Sequence, residues 1–308
     1  MTYSLLPLLR QAAAFAHRAF CTLPVRFAVV VAIFVAVVMP AHAATPFEVR
    51  VTGTGPDVLL IPGLASSGAV WDATASQLCT HHRCHVFTLA GFAGVPAQPG
   101  PLLDNVDAAL AAYIEQQHLH APTVIGHSLG GFVALRLAIA HPADVGRLVI
   151  VDALPALGAV RMDSATPQQL HDFAPQMRAG LMAQDPAAYA AAQAQQIASL
   201  VTAPADVARV QAWGRQSDRV AVIDAMSDMI GTDLRPQLAA VRVPTLVMGS
   251  WIAYKDVSTL EATRATYERQ YKTLAGVQIA MSPAGRHFIM LDDPAWFETT
   301  LEAFLKQS

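Results

Sequence analysis

Residues 124–132 read VIGHSLGGF, and the fold can be inferred outward from this stretch. The apolar residues before Gly126 are typical of a buried strand, and the run that begins at Leu129 is typical of a helix. A serine flanked by glycines at such a junction predicts a sharp strand-to-helix turn with an exposed hydroxyl. Side chains at Gly126 and Gly130 would collide in that turn. The sequence therefore predicts that Ser128 is a nucleophile at the carboxyl end of a sheet.

Strand-like and helix-like segments alternate along the chain on both sides of this turn. Strands are expected at residues 47–51, 57–62, 85–89, 123–126, 147–151, 244–249 and 277–281. Helices are expected around residues 70–78, 104–117, 129–140, 259–270 and 294–305. Such alternation indicates βαβ units. The predicted fold class is therefore α/β, with a mostly parallel, doubly wound sheet.

The pattern changes between residues 154 and 241, where strand-like runs disappear. The stretch AAYAAAQAQQIASLV, residues 187–201, is expected to be helical. We expect a helical cap, or lid, inserted between two strands of the sheet. Its methionines are suited either to an adaptable apolar pocket or to plain helix packing; they are Met162, Met177, Met182, Met226 and Met229.

Two backbone amides are candidates for an oxyanion hole. The amide of Leu129 begins the helix after Ser128, where N–H groups have no partner in the helix. The second candidate lies in residues 61–71, IPGLASSGAVW, which follow a predicted strand. There the amide of Leu64 is expected to face Ser128.

The chain from about residue 47 onward resembles the α/β-hydrolase superfamily. The resemblance rests on IPGLASS with Trp71, on GHSLGG, and on a late RHF motif. Within that superfamily, the chain is similar to the small-ester hydrolase and lipase-like branches that carry a helical cap. The resemblance implies that His287, in the loop between the last strand and the last helix, is the base that activates Ser128. His127 is expected to pack beside the sheet instead.

A serine and a histidine of this kind form a catalytic triad with an acid, for which the sequence offers more than one aspartate. Family members often carry it about three residues beyond the glycine that ends PTLVMG, but the first acid here is Asp256, seven beyond Gly249. Asp152 follows the apolar strand LVIV directly, and a buried carboxylate needs partners such as an imidazole. We expect Asp152 to be the acid, with Asp256 as the alternative. Further candidates are Asp224 and Asp228, whereas Asp292 and Asp293 are expected to cap the last helix.

The N-terminal segment has the features of a secretory signal. Arg26 precedes the uncharged apolar run at 27–39, and Ala-His-Ala follows at residues 41–43. Cleavage is predicted after Ala43. A run of 13 residues is short for a transmembrane span, so no stable membrane anchor is expected after cleavage. The long stretch before Arg26 also suggests that translation begins at Val25 instead of Met1.

Cysteine use and charge limit the remaining possibilities. In an exported chain, Cys79 and Cys84 are expected to form a disulfide; free thiols and a metal site with His81, His82 and His85 are the alternatives. The histidines are expected on a solvated loop. The first 43 residues hold three arginines and no acid, so residues 44–308 carry 17 basic and 23 acidic side chains, a net charge of −6. Nucleic acid is not an expected partner.

These features together predict a domain organisation and a function. Residues 1–43 form the signal peptide, 44–153 and 242–308 the two parts of the hydrolase core, and 154–241 the cap. The predicted protein is an exported, periplasmic or extracellular serine hydrolase that cleaves carboxylic esters of small or apolar substrates. No metal or cofactor is required. The alternatives are a peptidase, lactonase or carbon–carbon bond hydrolase with the same triad, or a non-catalytic binding protein.

Overall fold

The computed structural model of the chain describes residues 45–160 and 164–307. Within these residues one sheet has seven strands: β1 (Phe47–Thr52), β2 (Asp57–Ile61), β3 (Arg83–Leu89), β4 (Thr123–His127), β5 (Arg147–Val151), β6 (Thr245–Gly249) and β7 (Gln278–Met281). The strand order is β1-β3-β2-β4-β5-β6-β7. β1 pairs antiparallel with β3, and the other neighbours pair in parallel.

Helices cover both faces of this sheet. They are α1 (Asp72–Leu78), α2 (Leu102–Gln116), α3 (Leu129–Ala140), α4 (Pro167–Ala183), α5 (Pro186–Leu200), α6 (Pro204–Gln216), α7 (Arg219–Gly231), α8 (Leu260–Gln270), α9 (Ile289–Asp292) and α10 (Pro294–Leu305). Successive residues of β2 point to opposite faces: Leu59 belongs to the core with α2 and α3, whereas Leu60 belongs to the core with α10. Burial on both faces explains the unbroken apolar runs and confirms the predicted fold class.

Four helices, α4 to α7, lie between β5 and β6, where the helical cap was expected. α4 packs against α7, and α5 against α6. Thr166 begins α4 with a reciprocal capping box in which the side chain of Gln169 bonds back to the Thr166 amide. The division of the chain at residues 154 and 241 stays a prediction.

The region from the end of α1 into β3 differs from the expectation in the position of one histidine. Cys79 and Cys84 are paired, with Cα atoms 5.6 Å apart, within the range that a disulfide spans. His85, however, is not on a solvated loop: its side chain is buried in β3. Its Nε2 lies 3.0 Å from Asp57 Oδ1, and its Nδ1 lies 2.7 Å from the hydroxyl of Tyr113. The polar partners compensate for burial of the imidazole.

Several expectations fall outside the described residues. The apolar run 27–39, the cleavage point after Ala43 and the methionine at position 162 are among them. Within 45–160 and 164–307, no helix has the length and apolar character needed to cross a bilayer.

Candidate active site

Ser128 lies at a strained turn between β4 and α3. Its φ and ψ are 53° and −118°, a conformation that a non-glycine residue adopts only where its surroundings enforce it. Its amide donates to the carbonyl of Val151 at 2.9 Å. A Cβ on Gly126 would overlap the backbone of Gly130, as the sequence predicts. A Cβ on Gly130 would instead overlap the Ile61 carbonyl, because α3 packs its first turn onto the end of β2.

Asp152 and His287 are joined by a short hydrogen bond. His287 Nδ1 lies 2.6 Å from Asp152 Oδ2. A carboxylate can only accept, so the Nδ1 atom carries the proton and Nε2 is left as the basic nitrogen. The two residues are 135 positions apart, and each follows a strand at the carboxyl end of the sheet, as Ser128 does.

The carboxylate of Asp152 is buried and fully hydrogen-bonded. Oδ1 accepts from the Ser250 amide at 2.7 Å and from the Tyr267 hydroxyl at 2.6 Å. Oδ2 accepts from the Ser250 hydroxyl at 2.9 Å as well as from His287. Burial alone would raise the pKa of Asp152, but the hydrogen bonds from His287, from the Tyr267 hydroxyl and from the Ser250 amide hold it below its ordinary value. Asp152 is therefore ionised at neutral pH.

The other acid candidates lie elsewhere. Asp256 is exposed in the loop after β6, and in the described part of the chain it has no hydrogen bond or ion pair with His287. Asp224, on α7, pairs with Arg178 of α4 at 2.6 Å. Burial raises the pKa of Asp228, which lies one turn further along α7. The structure thus brings Asp152 to the histidine and leaves the alternatives apart from it.

His127 is fully buried beneath the histidine loop. Its Nε2 donates to the carbonyl oxygen of His287 at 3.0 Å, and the two imidazole rings are 4.6 Å apart. Burial, together with the nearby His287, lowers the pKa of His127 to about 3. The ring is therefore neutral, and its position matches the expectation that it packs beside the sheet.

Asp292 and Asp293 do not cap α10 as expected. Asp293 occupies the N-cap position, but its carboxylate accepts from the Ser282 hydroxyl at 2.8 Å and makes no capping bond. Asp292 accepts from the amides of Arg286 and Thr202. Both acids brace the loop that carries the active-site histidine, because that loop folds back over the start of the helix and offers closer donors.

The two predicted oxyanion donors lie on the turn between β4 and α3 and on the loop that follows β2. Leu129 is the first residue of α3, so its amide has no partner within the helix. Leu64 follows β2, the strand that pairs with β4, and its side chain lines a cavity together with Ser128. A positive φ at Ala65 marks the tight bend of that loop.

Two cavities meet at Ser128. The first, about 320 Å³, extends past Asp152 toward α8, and the second, about 240 Å³, extends under α5 and α6. The residues common to both are Ser128, Leu157, Met229, Tyr254 and His287. Of the cap methionines, Met226 and Met229 line the second cavity. The side chains around both cavities are mostly apolar or uncharged.

Ser250, Tyr267 and Tyr254 were not identified from the sequence. Ser250 and Tyr267 are 98 and 115 residues away from Asp152, and no local pattern marks such contacts. Tyr254 follows Ser250 in the stretch SWIAYK, whose departure from the family pattern was the available signal. Desolvation of the phenol, together with the nearby Asp152, raises the pKa of Tyr254 to about 12, so the phenol is protonated where it lines both cavities.

The described residues hold no group of three or more His, Cys, Asp or Glu side chains arranged for a metal ion. His81 and His82 lie near a surface groove between α1 and α10, away from Ser128.

A family model and several curated proteins match this chain. The model of the alpha/beta hydrolase family matches residues 58–300. A pimeloyl-(acyl-carrier protein) methyl ester esterase of Aeromonas salmonicida is 31% identical over 201 residues, 63% of this chain and 76% of that protein. One from Nitrosomonas europaea is 28% identical over 263 residues, 83% of this chain and 98% of that protein. For one from Vibrio cholerae, the match covers 42% of that protein.

Solved structures share the fold at lower identity. A hydrolase from Pseudomonas aeruginosa has a TM-score of 0.68 and 22% identity, covering 85% of this chain and 94% of that one. The enol-lactonase of Burkholderia xenovorans has a TM-score of 0.69 and 18% identity, covering 85% and 96%. At these identities the likeness supports the fold alone.

Proposed function

The chain belongs to the alpha/beta hydrolase family and is a carboxylic ester hydrolase, and on this basis we propose that it cleaves uncharged esters through an acyl-enzyme formed on Ser128. The observation that carries the proposal is the 2.6 Å hydrogen bond between His287 and the ionised Asp152, beside a cavity that Ser128 also lines.

The first half of the proposed reaction acylates the serine. The Asp152 bond fixes the Nδ1–H tautomer of His287, so Nε2 takes the proton from Ser128 Oγ as the oxygen attacks the ester carbonyl carbon. The amides of Leu64 and Leu129 stabilise the negative charge that develops on the carbonyl oxygen. His287 then gives the proton to the departing alcohol oxygen.

The second half releases the acid. Water loses a proton to His287 Nε2 and attacks the carbonyl carbon of the acyl-enzyme. The tetrahedral intermediate collapses, Ser128 Oγ recovers the proton, and the carboxylic acid leaves. Asp152 keeps its negative charge throughout and stabilises the imidazolium that forms twice in each cycle.

The cavities support an uncharged substrate. Apart from Asp152 and the histidines, the described side chains that line both cavities carry no charge, and no lysine or arginine is among them. An anionic acyl group would find no cation there to compensate for its desolvation. The esterases reported above are named for the methyl ester of pimeloyl-(acyl-carrier protein). We propose that this chain shares the ester chemistry and takes a small-molecule acyl substrate instead.

Export is part of the proposal. The charged flank, apolar run and Ala-His-Ala of residues 26–43 support a signal peptide cleaved after Ala43. The Cys79–Cys84 pairing is in keeping with an oxidising compartment, the periplasm or the cell exterior. Residues 44–308 would then act without a membrane anchor and with a net negative charge.

The test uses purified residues 44–308 and p-nitrophenyl esters of graded acyl length. We expect hydrolysis, and a single fluorophosphonate adduct on Ser128. Ser128→Ala should lose both and keep an unfolding midpoint close to that of the wild type, since the substitution removes one oxygen atom and retains the Cβ. Ester turnover by the alanine variant at the wild-type rate, or a fluorophosphonate adduct on another residue, would contradict the proposal.

A further inference from the structure

We propose that Ser250 and Tyr267 are positioning residues that keep Asp152 ionised and aimed at His287. The inference rests on the proposed function, because it assigns these two side chains a role in the same reaction. Neither touches the ester: both act through the carboxylate.

The geometry of the carboxylate carries the proposal. A carboxylate offers about four lone-pair sites, and Asp152 fills four with donors. Ser250 supplies two, its amide at 2.7 Å and its hydroxyl at 2.9 Å; Tyr267 supplies the third at 2.6 Å, and His287 supplies the fourth. With every site occupied by a donor, the carboxylate has one orientation, in which Oδ2 faces His287.

The backbone of Asp152 shows why such support is needed. Its φ is 48°, in the left-handed region that a non-glycine residue rarely adopts. Its amide is held by the carbonyl of Met248 at 2.8 Å, which fixes this bend at the end of β5. A strained, fully buried anion persists only where neighbouring groups over-determine it. The loop after β6 and helix α8 supply those groups through Ser250 and Tyr267.

The titratable groups that face this pair are few in the described structure. His287 itself and the phenols of Tyr254, Tyr267 and Tyr271 surround Asp152, and His127 faces His287 from below. None of these neighbours is an arginine or a lysine. Tyr267 and Ser250 are therefore the polar groups, besides His287, that bond the buried charge directly.

Removing one donor changes the chemistry in a definite direction. Without the Tyr267 hydroxyl, the negative charge on Asp152 is less compensated, so either the imidazolium or the protonated acid becomes easier to form. Both changes remove the free base at low pH, and the acid limb of the kcat/KM profile moves to higher pH. The looser carboxylate also aims His287 less well, which lowers kcat and leaves KM unaltered.

The chain provides a matched control for this experiment. Tyr271 lies one helical turn after Tyr267, is also buried, and donates its hydroxyl to the carbonyl of Ala153 at 2.8 Å instead of to the carboxylate. Tyr267→Phe and Tyr271→Phe therefore each delete one buried hydroxyl. Only the first deletes a bond to Asp152.

For Tyr267→Phe we expect kcat to fall about ten-fold, the loss of one charge-assisted hydrogen bond, and the acid limb to rise by about half a pH unit to one unit. Tyr271→Phe should lower the unfolding midpoint and keep the wild-type pH profile. Ser250→Ala, which retains the amide, should shift the limb in the same direction as Tyr267→Phe. Superimposable pH profiles for wild type, Tyr267→Phe and Ser250→Ala would overturn the proposal, as would equal shifts in Tyr271→Phe.

A spectroscopic readout separates this proposal from the proposed function and serves if Tyr267→Phe does not fold. In Ser128→Ala protein the His287 Nδ1 proton, bonded to Asp152, should give a downfield proton NMR line without any substrate. Ser250→Ala should move that line, and Tyr271→Phe should leave it in place. A line unmoved by Ser250→Ala contradicts the positioning role, even if the protein hydrolyses no ester tested. A wild type that reacts with neither esters nor fluorophosphonate contradicts the proposed function alone.

Discussion

His127 Nε2 donates a hydrogen bond to the carbonyl oxygen of His287 at 3.0 Å, across 160 residues of sequence. The residue immediately before the serine therefore holds the loop that carries the histidine. Because a neutral imidazole donates from one nitrogen, the bond leaves Nδ1 of His127 as a buried atom without a described partner. The contact joins the turn that carries Ser128 to the loop that carries His287. It is made by the His127 imidazole, which is neutral in the folded protein.

This contact predicts a pH-dependent stability. The folded protein holds the pKa of His127 at about 3, whereas the ordinary value is 6.5. Between those two pH values the unfolded chain binds a proton that the folded chain does not, so the free energy of unfolding falls as the pH decreases. The slope from one such group is up to about 1.4 kcal/mol per pH unit.

The variant His127→Gln tests the prediction, because the Gln amide can still reach the His287 carbonyl but does not titrate. Urea unfolding of wild type and variant is compared at pH values from 7 to 4.5. We expect the wild type to lose stability more steeply as the pH decreases, with a difference in slope that reaches half its maximum near pH 6.5 and grows below it. Parallel curves would show that His127 does not carry the dependence, since all other titrating groups are common to both proteins.

The strained turn at Ser128 predicts that alanine substitutions at two glycines have opposite effects on stability. A Cβ on Gly126 would overlap the backbone of Gly130, whereas a Cβ on Gly180, inside α4, would meet no described atom within 4 Å apart from its own helix backbone and chain neighbours. Gly126→Ala should therefore cost about 1–3 kcal/mol of folding free energy and abolish ester turnover by displacing Ser128. Gly180→Ala should be stabilising by up to about 1 kcal/mol, because alanine is the better helix former. Thermal unfolding and turnover of both variants check the pair; a well-folded, active Gly126→Ala protein would contradict the tight packing.

The assignment of the acid predicts unequal effects of two aspartate substitutions. Asp152→Asn retains size but replaces an acceptor with an amide that can donate toward His287, which favours the wrong tautomer. We expect kcat to fall by about 10³ to 10⁴. Asp256→Asn alters an exposed residue and should leave kcat unaltered. Steady-state kinetics on a p-nitrophenyl ester distinguish them, and the opposite ranking would move the acid to the loop after β6.

Much of the fold could be predicted because it depends on local pattern. The bounds of α3, β5 and α10 coincide with those expected from apolar periodicity and from the glycine and proline signals beside them. Ser128 could be predicted for the same reason, since its strained turn requires glycines at fixed offsets.

Other features could not be predicted because they depend on contacts between distant segments. The hydrogen bonds of Ser250 and Tyr267 to Asp152 have no sequence pattern. Asp292 and Asp293 match a helix-cap pattern, yet the histidine loop offers them nearer donors. The stretch around His85 suggests a solvated loop, because the partner of its imidazole, Asp57, lies 28 residues earlier on the neighbouring strand β2.

The pairing of Cys79 and Cys84 predicts a modest, local contribution to stability. The closed loop is six residues long, for which chain-entropy loss amounts to about 2 kcal/mol. Its backbone also packs against the turn at Gly53, where a Cβ would overlap the carbonyls of Cys79 and His82. The pair lies at the amino end of β3, whereas Ser128 lies at the carboxyl end of the sheet. Reduction should therefore lower the free energy of unfolding by ~2 kcal/mol and leave kcat unaltered.

Urea unfolding with and without dithiothreitol measures the effect on residues 44–308, and a variant with both cysteines replaced by serine is the control. That variant should be insensitive to the reductant, because it has no disulfide to reduce. Thiol titration of the untreated, denatured protein should find no free thiol. Two free thiols would remove the disulfide, and a loss of turnover on reduction would show that the loop communicates with the active site across the sheet.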